Sequence, residues 1–127
     1  MKIMKLASVS YTALVVDNPS DILSKFKIPE GWEKIAHHVT LNMGAAKNSE
    51  VVGKNFTVQA VAVAQDDKVM AVKVQMTSGL VTANATPHIT LAVNRAGGGK
   101  PVMSNKLNNW KDIESFSING VVTEVSN

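Results

Sequence analysis

The chain has 127 residues, of which 45% are hydrophobic and 18% are charged, and its net charge at pH 7 is +3. This length is typical of one domain, which we expect to span residues 1–127. The mild positive charge is explained equally well by anionic partners and by ordinary surface lysines. The absence of cysteine excludes disulfides, thiolate nucleophiles and cysteine-based metal sites, and the charge is too low to predict a surface that binds duplex DNA.

The first residues do not predict a targeting signal. Residues 1–6 carry two lysines, but Ser8, Ser10 and Tyr11 follow where a secretory signal would have its apolar core. No stretch approaches the roughly 18 apolar residues that a membrane span requires. We therefore expect a soluble, cytoplasmic protein without a membrane partner.

The next residues predict a strand and a short helix. Residues 7–16 are strand-forming, and residues 17–19 (Asp-Asn-Pro) are a turn signal that ends the strand. Ser20 is a good N-cap, and an apolar stripe follows it at helical spacing. The stripe consists of Ile22, Leu23 and Phe26, and residues 29–31 (Pro-Glu-Gly) end the helix.

The middle of the chain predicts three strands. Residues 35–43 form the first of them, and the small, polar residues 44–53 predict a loop with room for one helical turn. Residues 56–64 and 69–76 predict a hairpin that reverses at Asp66-Asp67.

The last part of the chain predicts further short elements. Residues 104–110 predict a short helix with Ser104 as its cap, and residues 115–125 predict a strand pair around Asn119-Gly120, a strong type I′ turn signal. Before them lie a polar loop over residues 77–86, a strand over residues 88–94 and a flexible, glycine-rich loop over residues 97–101.

These elements amount to six or seven strands and one or two short helices. Valine is heavily used, and it favours strands. No alternation of strands with long helices appears, so the pattern favours a compact antiparallel α+β architecture.

Two of the predicted strands share the sequence His-x-Thr-Leu. The motifs cover residues 38–41 and 88–91, so their histidines lie fifty positions apart (88 − 38). Because side chains on a strand alternate between two faces, each motif presents its histidine and threonine on one face and its two aliphatic residues on the other. The four polar side chains are His38, Thr40, His88 and Thr90.

This pairing is suited to phosphodiester chemistry. Histidines titrate near neutral pH, so one can deprotonate an attacking oxygen while another protonates a leaving oxygen, provided that the two strands lie side by side. A threonine about 7 Å along the same strand face can donate to a non-bridging phosphate oxygen. This chemistry requires no metal, and three histidines without a nearby carboxylate make a poor zinc site. The plainer alternative is a β-rich structural protein with coincidental motifs.

The paired motifs resemble those of the 2H phosphoesterase superfamily. It includes bacterial RNA 2′,3′-cyclic phosphodiesterases, the cyclic phosphodiesterase domain of fungal tRNA ligases, and phage enzymes that destroy cyclic-nucleotide defence signals. Residues 11–14 (YTAL) and 29–33 (PEGWE) before the first motif, and residues 99–101 (GKP) and 104–105 (SN) after the second, are similar to an RNA-repair-like subgroup and to tRNA ligases. The resemblance covers most of residues 10–110.

The resemblance implies two antiparallel lobes around a cleft to which each lobe contributes one motif. The duplicated motif itself predicts that the two halves are related by a pseudo-two-fold axis. It implies His38 and His88 as the acid/base pair and Thr40 and Thr90 as phosphate donors, without assigning which histidine is the base. The chain is shorter than typical members and lacks their longer helices, which leaves the outer wall of the substrate site, and therefore the substrate, open.

Further residues are candidates for substrate binding, each with a structural alternative. Tyr11 and Trp110 either stack on a base or pack in the core, and Asn42 and Asn94 either line the cleft or close turns. Lys100 either reaches the substrate from a mobile loop or lies in a plain connector, and Ser104 with Asn105 either bonds a phosphate or caps a helix.

His37 is predicted on the face opposite His38, as a core or back-face residue.

The sequence therefore predicts a metal-independent, cofactor-free phosphodiesterase whose partner is a nucleotide or an RNA end. Its substrate would be an RNA 2′,3′-cyclic phosphate, a 2′–5′ linkage, or a small cyclic or linear oligonucleotide signal. The alternative is a non-catalytic module on the same scaffold that binds a nucleotide signal or an RNA end.

Overall fold

Seven antiparallel strands form the framework of the computed structural model, which describes residues 8–126. A short helix, α1 (Pro19–Leu23), follows the first strand, and 3-10 helices cover Ser49–Val51 and Pro101–Lys106. The predicted antiparallel α+β class is confirmed at this level. The strands are β1 (Val9–Val16), β2 (Glu33–Lys34), β3 (His38–Met43), β4 (Asn55–Gln65), β5 (Val69–Gln75), β6 (His88–Val93) and β7 (Lys111–Ser126).

Six of the strands close into a barrel. The hydrogen-bonded order is β6-β3-β1-β7-β4-β5, and β5 pairs back with β6 to complete the ring, while β2 adds a short extension along β6. Closure of this kind leaves few unpaired strand edges. The ring is one continuous sheet, and a division into two lobes about a pseudo-two-fold axis is not shown.

Aliphatic side chains fill the core, as the low aromatic content requires. The largest fully buried residues include Leu14, Val39, Val72, Ile89 and Leu91. Three of these five belong to the two His-x-Thr-Leu motifs, so the apolar residues of both motifs hold their strands in the barrel wall.

The predicted hairpin and loops are found with small shifts in their ends. β4 and β5 pair across the reversal at Asp66, whose carboxylate accepts the backbone N–H groups of Lys68 and Val69 at 2.8 and 2.9 Å. The predicted polar loop over residues 44–53 contains the one turn of 3-10 helix. Ala7, the predicted start of the first strand, lies outside the described residues. Between residues 8 and 126, no helix has the length and apolar character needed to cross a membrane.

The predicted strand pair near the C-terminus is wrong. β7 runs without a turn through Asn119-Gly120, and Gly120 pairs with Val16 on one side and Phe56 on the other. A Cβ atom at Gly120 would lie 2.6 Å from the carbonyl oxygen of Val15. The glycine therefore permits a close approach of β1 to β7, which the sequence does not distinguish from a turn.

Two predicted helix caps are also wrong. The helix α1 is capped by Asn18, whose Oδ1 accepts the N–H of Asp21 at 3.1 Å, and Ser20 lies inside the helix. The predicted helix over residues 104–110 is a 3-10 helix that starts earlier, at Pro101, because proline suits the first helical position. Ser104 therefore lies inside that helix and is buried.

The segment before the first motif is bulged rather than continuous. Lys34 pairs with Ala92 of β6, and Val39 pairs with Ile89 of β6. Five residue steps, from Lys34 to Val39, therefore lie opposite three residue steps of β6. The two extra residues are accommodated at Ala36, which has a φ of 48°, in the left-handed region that favours glycine. This kink breaks the alternation of side chains just before His38.

Each motif strand also carries a register shift, and the two shifts lie at equivalent positions in the motifs. In the β1–β3 pairing the register skips Leu41, the residue after Thr40. In the β5–β6 pairing it skips Leu91, the residue after Thr90. The extra leucine of each motif is buried. The two motifs therefore resemble each other in backbone as well as in sequence.

Candidate active site

The two His-x-Thr-Leu strands are neighbours that meet at one residue pair. β3 and β6 are antiparallel, and Val39 pairs with Ile89. Both of these side chains are fully buried, so the residues that flank them face the other side of the sheet. The antiparallel direction places His38 towards Thr90 and Thr40 towards His88. All four polar motif residues line one cavity of about 550 Å³.

The cavity is apolar with a few converging polar groups, as is typical of ligand sites. Among the described residues that line it there is no carboxylate, lysine or arginine. An anion held there would therefore meet hydroxyl, amide and imidazole donors, and positive charge would come from a protonated histidine. The polar lining residues are Tyr11, His37, His38, Thr40, Asn42, Asn84, His88, Thr90 and Asn105.

His88 is held in one tautomer. Its Nδ1 lies 2.8 Å from the carbonyl oxygen of Thr86, and because a carbonyl oxygen only accepts, Nδ1 donates. The nitrogen at which this ring can gain or lose a proton is therefore Nε2. Beside the imidazole, the ring of Trp110 lies 6.5 Å away between centroids, and Lys73 Nζ lies 5.9 Å from the centre of that indole.

His38 is packed under an aromatic ring. Tyr11, on the neighbouring strand β1, stacks on its imidazole with 4.9 Å between centroids and 29° between planes. The pKa of His38 is lowered from 6.5 to about 4, mainly by burial and in addition by the charges of His37 and His88. Near neutral pH His38 is therefore uncharged and able to accept a proton.

The prediction that His37 faces away from His38 is wrong. The Nδ1 atoms of His37 and His38 lie 2.8 Å apart, with the two rings edge to face at 83°, and both residues line the cavity. The reason is the kink at Ala36, which precedes the strand and removes the alternation on which the prediction depended.

The hydroxyl of Thr90 forms a hydrogen bond with the hydroxyl of Ser104. The two hydroxyl oxygens lie 2.8 Å apart, and the Thr90 hydroxyl also lies 3.4 Å from the carbonyl oxygen of Pro101. Ser104 is 1% exposed and is not among the residues that line the cavity. The structure therefore places Ser104 behind a lining residue and not in the position of a direct substrate ligand.

The first motif is held by the loop over residues 77–86. The Thr82 hydroxyl donates to the carbonyl oxygen of Thr40 at 3.1 Å. Asn42 is buried, and its amide donates to the carbonyl oxygens of Met43 and Ala45 at 3.0 and 2.9 Å, which closes the turn after β3. Asn42 lines both the candidate site and a second cavity of about 370 Å³.

Of the remaining substrate-binding candidates, one lines the cavity and two do not. Asn105 lines the cavity, where its Oδ1 lies 3.5 Å from the amide nitrogen of Asn84. Asn94 and Lys100 do not line it. Asn94 donates to the carbonyl oxygen of Asp67 at 3.1 Å and accepts from the N–H of Gly97, so it closes a turn, which was the structural alternative.

Three residues near the site were misplaced by the sequence or carried no signal in it. His37 was assigned to the wrong face, Asn84 lies in a polar loop without a distinguishing pattern, and Lys73 is beside His88 only through the β5–β6 register. The pair His37-His38 itself was the one signal available for His37. For Lys73 and Asn84 a single sequence carries no comparable signal.

The comparisons with known proteins give one result. A family model, described as the fungal tRNA ligase phosphodiesterase domain, matches residues 22–126. The matched range includes both motifs and every strand from β2 to β7. No curated protein and no solved structure matches the chain.

Proposed function

Because the chain belongs to the family of the fungal tRNA ligase phosphodiesterase domain, a 2H phosphoesterase-type family, we propose that it is a phosphodiesterase that acts on RNA ends. The observation that carries this proposal is the convergence of both His-x-Thr pairs on one cavity. The first substrate to consider is an RNA end with a 2′,3′-cyclic phosphate. A 2′–5′ linkage and a small cyclic or linear oligonucleotide present the same phosphodiester group.

The proposed reaction is hydrolysis of one phosphodiester bond. A water oxygen forms a bond to phosphorus as one ribose oxygen leaves, and the product is a phosphomonoester with a free hydroxyl. A general base takes the proton of the attacking water, and a general acid gives a proton to the departing oxygen. We expect the cycle to need neither metal nor organic cofactor, since imidazole and hydroxyl groups supply each of these roles.

The histidines divide these roles according to their surroundings. His38 is the base, because its lowered pKa of about 4 keeps the ring uncharged at neutral pH, with a lone pair free for the proton of the attacking water. His88 takes the remaining role of acid, and because its Nδ1–H is held by the Thr86 carbonyl oxygen, the proton that it transfers is one carried at Nε2. Each histidine lies across from the threonine of the other motif, so the phosphate is enclosed from both strands.

Thr40 and Thr90 are the proposed donors to the non-bridging phosphate oxygens. Charge develops on these oxygens as the fifth bond to phosphorus forms, and donors already in place stabilise it. The contact with Ser104 orients the Thr90 hydroxyl before substrate arrives. The adjacent apolar surface, which includes the exposed Met43 and the exposed Val102, provides a place for the base of the terminal nucleotide.

The symmetry expected from the duplicated motif is also part of this proposal. The barrel order places β1 and β7 beyond β3, and β5 and β4 beyond β6, so that a two-fold axis through the Val39–Ile89 pair would exchange the two halves. The matching bulges at Leu41 and Leu91 support this relation. Such an axis would carry each acid/base histidine onto the other.

A substrate panel tests the proposal. The protein, kept in EDTA, is incubated with RNA oligonucleotides ending in 2′,3′-cyclic phosphate, with 2′–5′-linked dinucleotides and with cyclic oligonucleotides. We expect turnover of at least one class, and a loss of about 10²- to 10⁴-fold in kcat for His38→Ala and for His88→Ala. Lys34→Ala, on the exposed strand β2 outside the cavity lining, is the matched control. Full activity in either histidine variant would contradict the assignment, and tight binding without product would favour the non-catalytic module.

A further inference from the structure

His37 is the one histidine for which the proposed reaction has no role, yet it touches the proposed base. Its Nδ1 lies 2.8 Å from Nδ1 of His38, which is hydrogen-bonding distance between two ring nitrogens. One of the two atoms must donate and the other accept, so the contact is incompatible with a proton on both Nδ1 atoms. The contact therefore couples the protonation states of the two rings.

The backbone that creates this contact is strained. Ala36 holds a φ of 48°, although alanine in the left-handed region costs about 1–2 kcal/mol. Within two residues the hydrogen-bond partner of this segment changes from β6 to β1. The Ala36 N–H donates to the Thr90 carbonyl oxygen at 2.9 Å, whereas the His37 carbonyl oxygen accepts from the Val16 N–H. Unfavourable φ values and bulges of this kind cluster at functional sites.

The difference in solvent exposure between the two rings favours one direction of this hydrogen bond. His37 is exposed, so its Nε2–H can be satisfied by water while its Nδ1 stays unprotonated and accepts. His38 is half-buried beneath Tyr11, and its Nδ1 then carries the hydrogen that is donated. With Nδ1 protonated, the free lone pair of His38 lies at Nε2.

We propose that His37 is a positioning residue, whose Nδ1 accepts a hydrogen bond from Nδ1–H of His38 and so holds His38 in the tautomer that presents an unprotonated Nε2 to the phosphodiester. The proposal rests on His38 being the general base of the proposed reaction. It adds a third imidazole, placed on the solvent side, to the two that face the substrate.

The same contact gives the proton of the reaction a route to solvent. When His38 Nε2 takes a proton from the attacking water, the ring becomes an imidazolium and its Nδ1–H bond to His37 strengthens. The Nδ1 proton can then pass to His37, which leaves His38 neutral with a proton at Nε2. Loss of the Nε2 proton from His37 to water then leaves a neutral pair with both tautomers reversed. The starting pair returns when His38 releases its Nε2 proton after product leaves, the Nδ1 proton moves back from His37 to His38, and His37 takes up a proton from water at Nε2.

Three titratable groups lie against or near His38. They are His37 from the preceding segment, His88 from β6 and the phenol of Tyr11 from β1. Burial is the largest cause of the lowered pKa of His38, and the charge of His37 is the second. Removal of His37 should therefore raise the pH at which His38 takes up its proton, while a neutral residue that still accepts a hydrogen bond should preserve its orientation.

Two variants separate orientation from charge. His37→Ala removes both, whereas in His37→Asn the amide oxygen can occupy the place of Nδ1 and accept from His38. We expect His37→Ala to lower kcat by about 10- to 100-fold with little change in KM, since part of the general-base contribution is lost. We expect His37→Asn to stay within about 3-fold of the native kcat. In both variants the acid limb of the kcat/KM profile should move to higher pH, and Lys34→Ala is again the control.

Nitrogen NMR of the histidine rings provides a test that does not depend on catalysis. Near neutral pH, native His38 should show a protonated Nδ1 and an unprotonated Nε2, and His37→Ala should show a mixture of tautomers. The proposal is overturned if native His38 carries its proton at Nε2, or if His37→Ala keeps the native kcat and pH profile. Equal losses in both variants with an unmoved acid limb would also overturn it, as they indicate a purely structural role. Failure to find any substrate would instead contradict the proposed function, and the NMR result would still decide the role of His37.

Discussion

Replacement of His38 by glutamine removes one titratable group from a half-buried position and should change how stability depends on pH. In the unfolded chain His38 takes up its proton near pH 6.5, whereas in the folded protein it does so only near pH 4. Between these two values the unfolded state binds one more proton than the folded state. The stability that His38 contributes is therefore present in full above about pH 6.5 and is lost as the pH falls towards 4.

The size of this effect follows from the displacement of the pKa. The lowering from 6.5 to about 4 corresponds to at most about 3.5 kcal/mol, at about 1.4 kcal/mol per pKa unit. The ring is only partly buried, so solvent screening reduces the expected value to about 2 kcal/mol. His38→Gln lacks this contribution at every pH, because the glutamine amide does not titrate.

Urea unfolding of both proteins at several pH values measures the effect. The difference in free energy of unfolding, native minus His38→Gln, should fall by about 2 kcal/mol between pH 7 and pH 4. The comparison cancels the titration of the other ionisable groups, which the two proteins share. A difference that stays constant over this range, or that grows as the pH falls, would refute the burial and the charge environment assigned to His38.

Three further substitutions test other parts of the structure. Ser104→Ala should lower kcat by about 3- to 10-fold through loss of a hydrogen bond worth about 1 kcal/mol that orients the Thr90 hydroxyl, and native kinetics would contradict that role. Gly120→Ala should lower the free energy of unfolding by about 1–3 kcal/mol, because the new Cβ meets the Val15 carbonyl oxygen, and an unchanged urea midpoint would argue against this close approach. Asn94→Ala should cost about 1 kcal/mol of stability and leave kcat/KM unchanged, whereas a loss of activity at native stability would place Asn94 in the site after all.

The parts of the fold set by local chemistry were predictable from the sequence. The β4–β5 hairpin follows from its turn residues, and the positions of both His-x-Thr strands follow from their aliphatic pairs. The family was also recognisable from the paired motifs, and the match over residues 22–126 confirms it. These features depend on near neighbours in the chain, which a sequence displays directly.

Long-range backbone geometry accounts for the errors. Asn119-Gly120 has the composition of a turn, but contact with β1 keeps it extended. Strict alternation assigned His37 to the back face, but the kink at Ala36 turns it towards His38. A single sequence does not show an alanine with positive φ, because alanine is not a residue that the left-handed region favours. The sequence therefore pointed to the four motif residues and to Tyr11 beside His38, but it did not place His37 against His38.

The central claim is that the two motif histidines act together on a phosphodiester without metal. The most direct measurement is phosphorus NMR of an RNA oligonucleotide with a 2′,3′-cyclic phosphate end, mixed with the protein in EDTA. With the native protein we expect the cyclic phosphate signal to be replaced by that of a single phosphomonoester, and with His38→Ala or His88→Ala we expect it to persist. Unchanged signal with the native protein in EDTA, followed by conversion only after a divalent metal is added, would contradict the account.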